Sequence, residues 1–403
     1  MGCPRAYAAI VKAASAEVVL VAVGMAFALA GCGAPSPSSS TDSALDFPAT
    51  EAPPPPPWTS LRSAGQVAGP FSGVGNQYVF TAIPYGVGFV GVGEDLRIGG
   101  PVDGAIWWTP DAMVWNRVDV SEAGLANSEV DLVATDGRRI IAVGRARAGD
   151  MGPEGPGISW ISEDSKRWRR LAVRPFEDTL VSGLVGSPTG FMAWGGSEGA
   201  TVMFHSGDGL SWDRVPAGDV FADAAINAVL PFRGGFVAVG AQMPARSDTN
   251  IGGPDGRTAA AWWSPDGLTW RAGSTDAGPG LGSLYVGATG LLALGGSECG
   301  SCIAPANLWQ SADGQHWHRL GTDMTTFPIY SSDGARIVRF DWQGSGQAAA
   351  SFDGSTWQPL GAPGTADLDR LIVGRNGLLV LQSIARQRPQ DEVDGAVWYL
   401  PAT

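Results

Sequence analysis

Side chains suited to chemistry are few in this 403-residue sequence. The three histidines are His205, His316 and His318. His316 and His318 alternate on an extended segment and share a face, which mimics a metal pair. No HExxH accompanies them, and a solvated outer strand accounts for both. Asp248, Asn250 and Asp255 carry oxygens of the kind calcium takes, without the order of an EF-hand. No metal and no cofactor is expected. Cys299 and Cys302 stand in a C-x-x-C spacing. In an oxidising exterior they are expected to pair as a local disulfide that shapes a loop tip, the alternative being a redox pair. Glycoside hydrolysis needs two carboxylates across a cleft, and no spacing singles out such a pair. Tyrosines available as nucleophiles are Tyr78, Tyr85, Tyr285, Tyr330 and Tyr399. No Walker loop and no nucleophile elbow occurs. No residue is assigned a catalytic role.

What recurs is a polar box, W-x-S/T-x-D-G-x-x-W. Its polar and aromatic members are Thr109, Asp111 and Trp115; Ser162, Asp164 and Trp168; Ser206, Asp208 and Trp212; Ser264, Asp266 and Trp270; Ser311, Asp313 and Trp317; and Ser351, Asp353 and Trp357. The hydroxyl and carboxylate suit the backbone N–H groups of a tight turn. The glycine tolerates positive φ, although the first two boxes carry Ala112 and Ser165 there. The last tryptophan is expected to anchor the outer strand after the turn. Trp107, Trp160, Trp262, Trp309 and Trp398 occupy the first motif position. Blade architecture is the reading of these residues, with an aromatic ligand cage as the alternative.

The elements that position the boxes are short apolar runs bounded by glycine, such as Gly88–Gly93, Gly190–Gly195 and Gly235–Gly240. Seven copies occur, each preceded by a second strand-like run and a tight turn. Box tryptophans fall at 115, 168, 212, 270, 317 and 357, which is propeller-blade spacing. The seventh unit is split. Ala396–Pro401 matches Ala105–Pro110 and stops before a box tryptophan, whereas Trp58–Leu61 matches Trp357–Leu360. The expectation is an all-β, seven-bladed β-propeller of four-stranded antiparallel blades over residues 58–403, the last blade closed by the N-terminal strand.

The box resembles the Asp box of bacterial neuraminidase repeats, found in sialidases, sortilin-type receptors and many secreted propellers. It is one residue shorter between Asp and Trp than the usual form. The resemblance implies the fold and says little about activity. A sialidase-type site would need an F/Y-R-I-P segment, and Phe232-Arg233-Gly234-Gly235 is a poor match.

Residues 1–31 read as a secretion signal with Arg5 and Lys12 before an apolar run from Val18 to Ala30. Leu29-Ala30-Gly31-Cys32 resembles the bacterial lipobox, which implies acylation of Cys32. Two acyl chains anchor stably where one does not. Residues 32–57, rich in Pro and Ser, read as a tether reaching about 75 Å when extended. Acidic residues outnumber basic ones, 39 to 26, which disfavours a nucleic-acid partner. Length variation places the recognition surface on the loops Glu94–Asp103, Arg145–Gly157, Ala241–Arg257, Ser297–Pro305 and Ser383–Asp394, with Arg97, Arg147, Arg246, Arg386 and Arg388. The expectation is a monomer on the extracytoplasmic side of the cell membrane, held by its lipid. It would bind or scaffold a protein or envelope glycan through the long-loop face. The alternative is a diverged sialidase-like glycoside hydrolase.

Overall fold

The computed structural model describes residues 60–62, 65–67, 71, 75–97, 100–147, 154–172, 175–197, 200–216, 218–242, 257–295, 307–322, 328–341, 347–361, 370–385 and 393–403. Their strands form seven sheets, which are the blades of a propeller. The first strand of each blade is innermost. These strands are Asn76–Tyr85, Ser128–Thr135, Leu180–Ser187, Ala224–Phe232, Leu281–Val286, Pro328–Ser332 and Arg370–Gly374. Each packs against the next, and the seventh packs against the first, so the ring closes around an axis. Apolar side chains between blades fill the core, with Ile83, Val90, Val133, Ile141 and Leu184 fully buried in one such layer.

Antiparallel strands alternate in direction, which sorts the connections onto two faces. The turn from first to second strand and the box turn lie on one, here the box face. Connections from second to third strand and between blades lie on the other, the loop face. The fifth blade departs from the four-stranded expectation. Its edge gains Ser274–Thr275, from the preceding crossover, paired parallel with His316–Trp317.

The apolar runs do not end at their glycines. Second strands continue as Gly88–Leu96, Ile140–Arg147, Gly190–Ser197 and Gly235–Gln242. The register shows why glycine stands mid-strand. Five inner strands carry a one-residue bulge, at Phe80, Asp131, Ser182, Asn227 and Gly282. The bulge drives a carbonyl onto the neighbouring strand. A Cβ at Gly93, Gly144, Gly195 or Gly240 would overlap the carbonyl oxygens of Tyr78, Glu129, Leu180 and Ala225 respectively. Because the strands run on, several long loops shrink. Only residues 97–101 separate Gly88–Leu96 from Val102–Thr109, and only residues 148–153 separate Ile140–Arg147 from Glu154–Ser162.

In the last blade, Gly65 pairs with Tyr399 and Gln66 with Trp398. Trp107, the counterpart of Trp398, pairs with Arg117, two residues after its box tryptophan. The N-terminal pairing among the described residues is limited to Gly65–Gln66 in this strand. Leu61 instead spans two blades. It forms a bridge with Ala402, and its amide donates to the Leu360 carbonyl at 3.0 Å. These bonds hold Leu61 against both the sixth and the seventh blade. Trp58 lies outside the described residues.

Candidate functional site

On the box face the six boxes share one geometry. Each aspartate Oδ1 accepts two backbone amides from the following turn, at 2.6–3.0 Å. Each hydroxyl donates to the same oxygen at 3.0–3.3 Å. The glycine position, sixth in the motif, has positive φ in every box, including Ala112 and Ser165 at 65°. Partial burial raises the Asp266 carboxyl pKa, but the Thr269 and Leu268 amides outweigh it and hold the group below its ordinary value. Asp164 is likewise opposed by burial. The Arg167 and Lys166 amides, with the Arg167 guanidinium, bring it to about 2. Acceptors so occupied are anchors for a turn, not reagents.

The box tryptophans pack sideways into the outer edge of the blades. Phe71 contacts Trp107 and Trp115, Phe176 contacts Trp212, and Phe221 contacts Trp262 and Trp270. The phenylalanines come from crossovers and carry no motif, so the sequence reading missed them. Box turns also tie blades together. Arg139, in the inner turn of the second blade, donates to the Asp208 and Gly207 carbonyls of the third blade's box at 2.7 and 3.1 Å. Tyr85 Oη donates to the Glu163 carbonyl, and Thr289 N to that of Phe352.

Polar chemistry with solvent access gathers on the loop face, at the upper ends of the first two blades. Asp95 accepts from Gln77 Nε2 at 3.0 Å and Arg117 Nη1 at 2.9 Å. Glu129 is buried between Arg145 Nη2 at 2.7 Å and Arg147 Nε at 3.3 Å. Arg145 Nε also lies 3.5 Å from Asp131 Oδ2. Asp131 is a bulged residue, and the side chains of Arg145 and Asp131 remain 24% and 30% exposed. Its counterpart Asn227 donates to the Leu281 carbonyl of the next inner strand at 2.6 Å. A guanidinium and a carboxylate are thus presented together at the mouth of the ring, held by buried partners. They can pair with a ligand's hydroxyl, amide or charged groups. Arg145 and Glu129 face each other only through the bulged register, which spacing alone does not reveal.

Other predicted residues fall as follows. Arg147 is committed to Glu129 rather than extended into solvent, whereas Arg97 is exposed. His316 Nδ1 lies 2.6 Å from Asp313 Oδ2, and both His316 and His318 are exposed. Burial lowers the His205 pKa against the charges of Asp213 and Asp266. Tyr78 stands opposite Glu94 across the first two strands. Burial, then the Glu94 charge, raises its pKa, the reverse of what an activated phenolate requires. Cys32, Cys299, Cys302, Arg246, Asp248, Asn250, Asp255, Arg386 and Arg388 lie outside the described residues. Among the described residues, no cluster of three or more His, Cys, Asp or Glu is placed to hold a metal. No helix there is long and apolar enough to cross a membrane.

No protein-family model and no curated protein matches the chain. Solved structures do. The β-propeller domain of the Trilobed protease from Pyrococcus furiosus, which has an open velcro topology, is similar at 11% identity and a TM-score of 0.50, over 81% of this chain and 97% of that one. Pyrococcus horikoshii acylaminoacyl peptidase is 12% identical, with a TM-score of 0.47 over 68% of this chain. This chain spans about half of that peptidase's length, 46%. The phage phi92 endosialidase is 10% identical, with a TM-score of 0.41 over 86% of this chain and 70% of that one. At these identities the similarity is one of fold.

Proposed function

We propose that this chain is a lipid-anchored, extracytoplasmic binding or scaffolding module that engages a protein or envelope glycan through its loop face. The position of Ser60 carries this reading. Ser60 lies beside Thr403, whose amide donates to its carbonyl at 3.1 Å. Thr403 follows Val393–Pro401, a strand that runs to the box face, where Ala402 N meets the Asn376 carbonyl of the inner turn. Ser60 therefore lies at the box face, opposite the Asp131–Arg145 mouth. An anchor upstream of Ser60 attaches on the face opposite the Asp131–Arg145 mouth and leaves that mouth free to meet a partner. The acidic charge of the chain, -13, keeps such a domain off anionic lipid.

The test compares wild-type protein with Cys32→Ser, Arg145→Ala and Leu268→Ala. Wild type is expected in the membrane fraction and Cys32→Ser in the soluble one. On arrays of envelope glycans and surface proteins, scored for retention and cleavage together, Arg145→Ala is expected to lose retention at least about tenfold, the scale of one charge-assisted contact. Leu268→Ala, on the box face, is expected to retain it. Cleavage of a glycan would replace this reading with the hydrolase one.

A further inference from the structure

The sixth box departs from the other five. In those, the indole N–H of the last tryptophan donates to the carbonyl at the glycine position of the turn, at 2.9–3.3 Å. Trp357 makes no such bond among the described residues, and it is half-buried where Trp115, Trp168, Trp270 and Trp317 are buried. The strand register gives the cause. The second-strand residue opposite the first motif position is Gly91, Ala142, Ala193, Ala238 or Ala293 in the first five blades and Arg339 in the sixth. In the first blade a methyl group added at Gly91 would stand 3.4 Å from Trp115 Cζ3, so the box indole lies over this position. In the sixth blade the Arg339 guanidinium lies 4.7 Å from the Trp357 ring centroid, with Tyr330 against the ring edge. A ring that rests on a guanidinium rather than on a glycine or alanine is held out of the turn.

The space so opened is a cavity of about 210 Å³ on the box face, where the fifth and sixth blades meet. Both arms of the box hairpin line it, residues 350–353 and 356–358, together with Thr289 of the fifth blade's inner turn and Arg336. The charged members are already engaged. Arg336 Nε lies 3.3 Å from Asp333 Oδ2, and Asp353 Oδ1 accepts the Ser355 and Thr356 amides. Thr356 Oγ1, the Gln358 side-chain amide and Trp357 Nε1 make no hydrogen bond among the described residues. A ligand therefore meets neutral donors and acceptors set into a wall of Ala350, Phe352 and the indole, the usual make-up of a small-molecule site. A cavity of about 150 Å³ takes a benzene ring, so this one takes a six-membered ring with its substituents.

We propose that the sixth box hairpin binds one uncharged pyranose ring, held by Thr356, Gln358 and the Trp357 N–H. The site lies on the face opposite Arg145 and does not rest on the loop-face reading above.

Saturation-transfer NMR on the full chain tests it. The uncharged probes are methyl α-glucopyranoside, methyl α-mannopyranoside, methyl β-galactopyranoside and N-acetylglucosamine, and glucuronate is the charged one. At least one uncharged probe is expected to receive saturation. Silence from all of them, or a stronger signal from glucuronate, would overturn the proposal. Ala350→Leu fills the cavity and is expected to cut the signal at least about tenfold; Gln358→Ala, at an exposed position, is expected to cut it several-fold. Arg339→Ala restores the small residue of the other five blades. The Trp357 N–H is then expected to return to the Gly354 carbonyl and the signal to vanish, although no residue of the cavity wall has changed. Arg145→Ala is expected to leave the signal intact. Undiminished signal in both Ala350→Leu and Gln358→Ala would put the sugar elsewhere and overturn the site. Should Ala350→Leu fail to fold, Gln358→Ala and Arg339→Ala still decide.

Discussion

At the scale of single residues, the box carboxylates make a pH-dependent contribution of known sign. Those of Asp111, Asp164, Asp208, Asp266, Asp313 and Asp353 are all held below their ordinary value. A depressed pKa stabilises the fold above the unfolded value, near 3.8, and that stabilisation disappears as pH falls through the folded value. Asp164, at about 2, marks the acid end of the window. The midpoint of thermal unfolding is therefore expected to fall steeply below about pH 4. In Asp266→Asn the fall should be shallower, because the amide does not titrate. Equal slopes for the two proteins would contradict the role given to these hydrogen bonds.

At the scale of strands, the bulge and its facing glycine form one unit. Gly240→Ala forces a methyl group into the Ala225 carbonyl, and straightening the bulge would turn the inner strand over. A loss of about 3 kcal/mol is expected by denaturant titration, the range of overpacked core sites. Gly196→Ala supplies the control. A methyl group at Gly196 meets nothing within 4 Å, so a change within about 0.5 kcal/mol is expected. This scale is also where the sequence is only half readable. The seven apolar runs and the box tryptophans announce the blades through local periodicity. The role of Gly93, Gly144 or Gly240 depends on a carbonyl from another strand, so it read as a boundary. For the same reason the Glu129–Arg145 pair and the crossover residues Phe71, Phe176 and Phe221 went unread. Their partners are far away in sequence and are chosen by register.

At the scale of the whole ring, stability belongs to a closed circle. The inner strand Arg370–Gly374 packs against both its predecessor and Asn76–Tyr85, so no blade is a free end. Deleting residues 393–403 removes the third strand of the last blade and the partner of Gly65–Gln66. The near-UV circular dichroism of the entire domain is expected to collapse. Loss of only a seventh of the signal would mean that blades fold independently. The antiparallel pairing near Ser60 also has a mechanical meaning. A pull on the tether acts along the axis of Leu61–Gln66. It strains the Arg62–Pro401 and Val67–Val397 hydrogen bonds together, in shear, rather than peeling them one by one. A ring tugged by a partner on its outward face would thus meet the tension of its anchor where the two terminal segments resist as a unit.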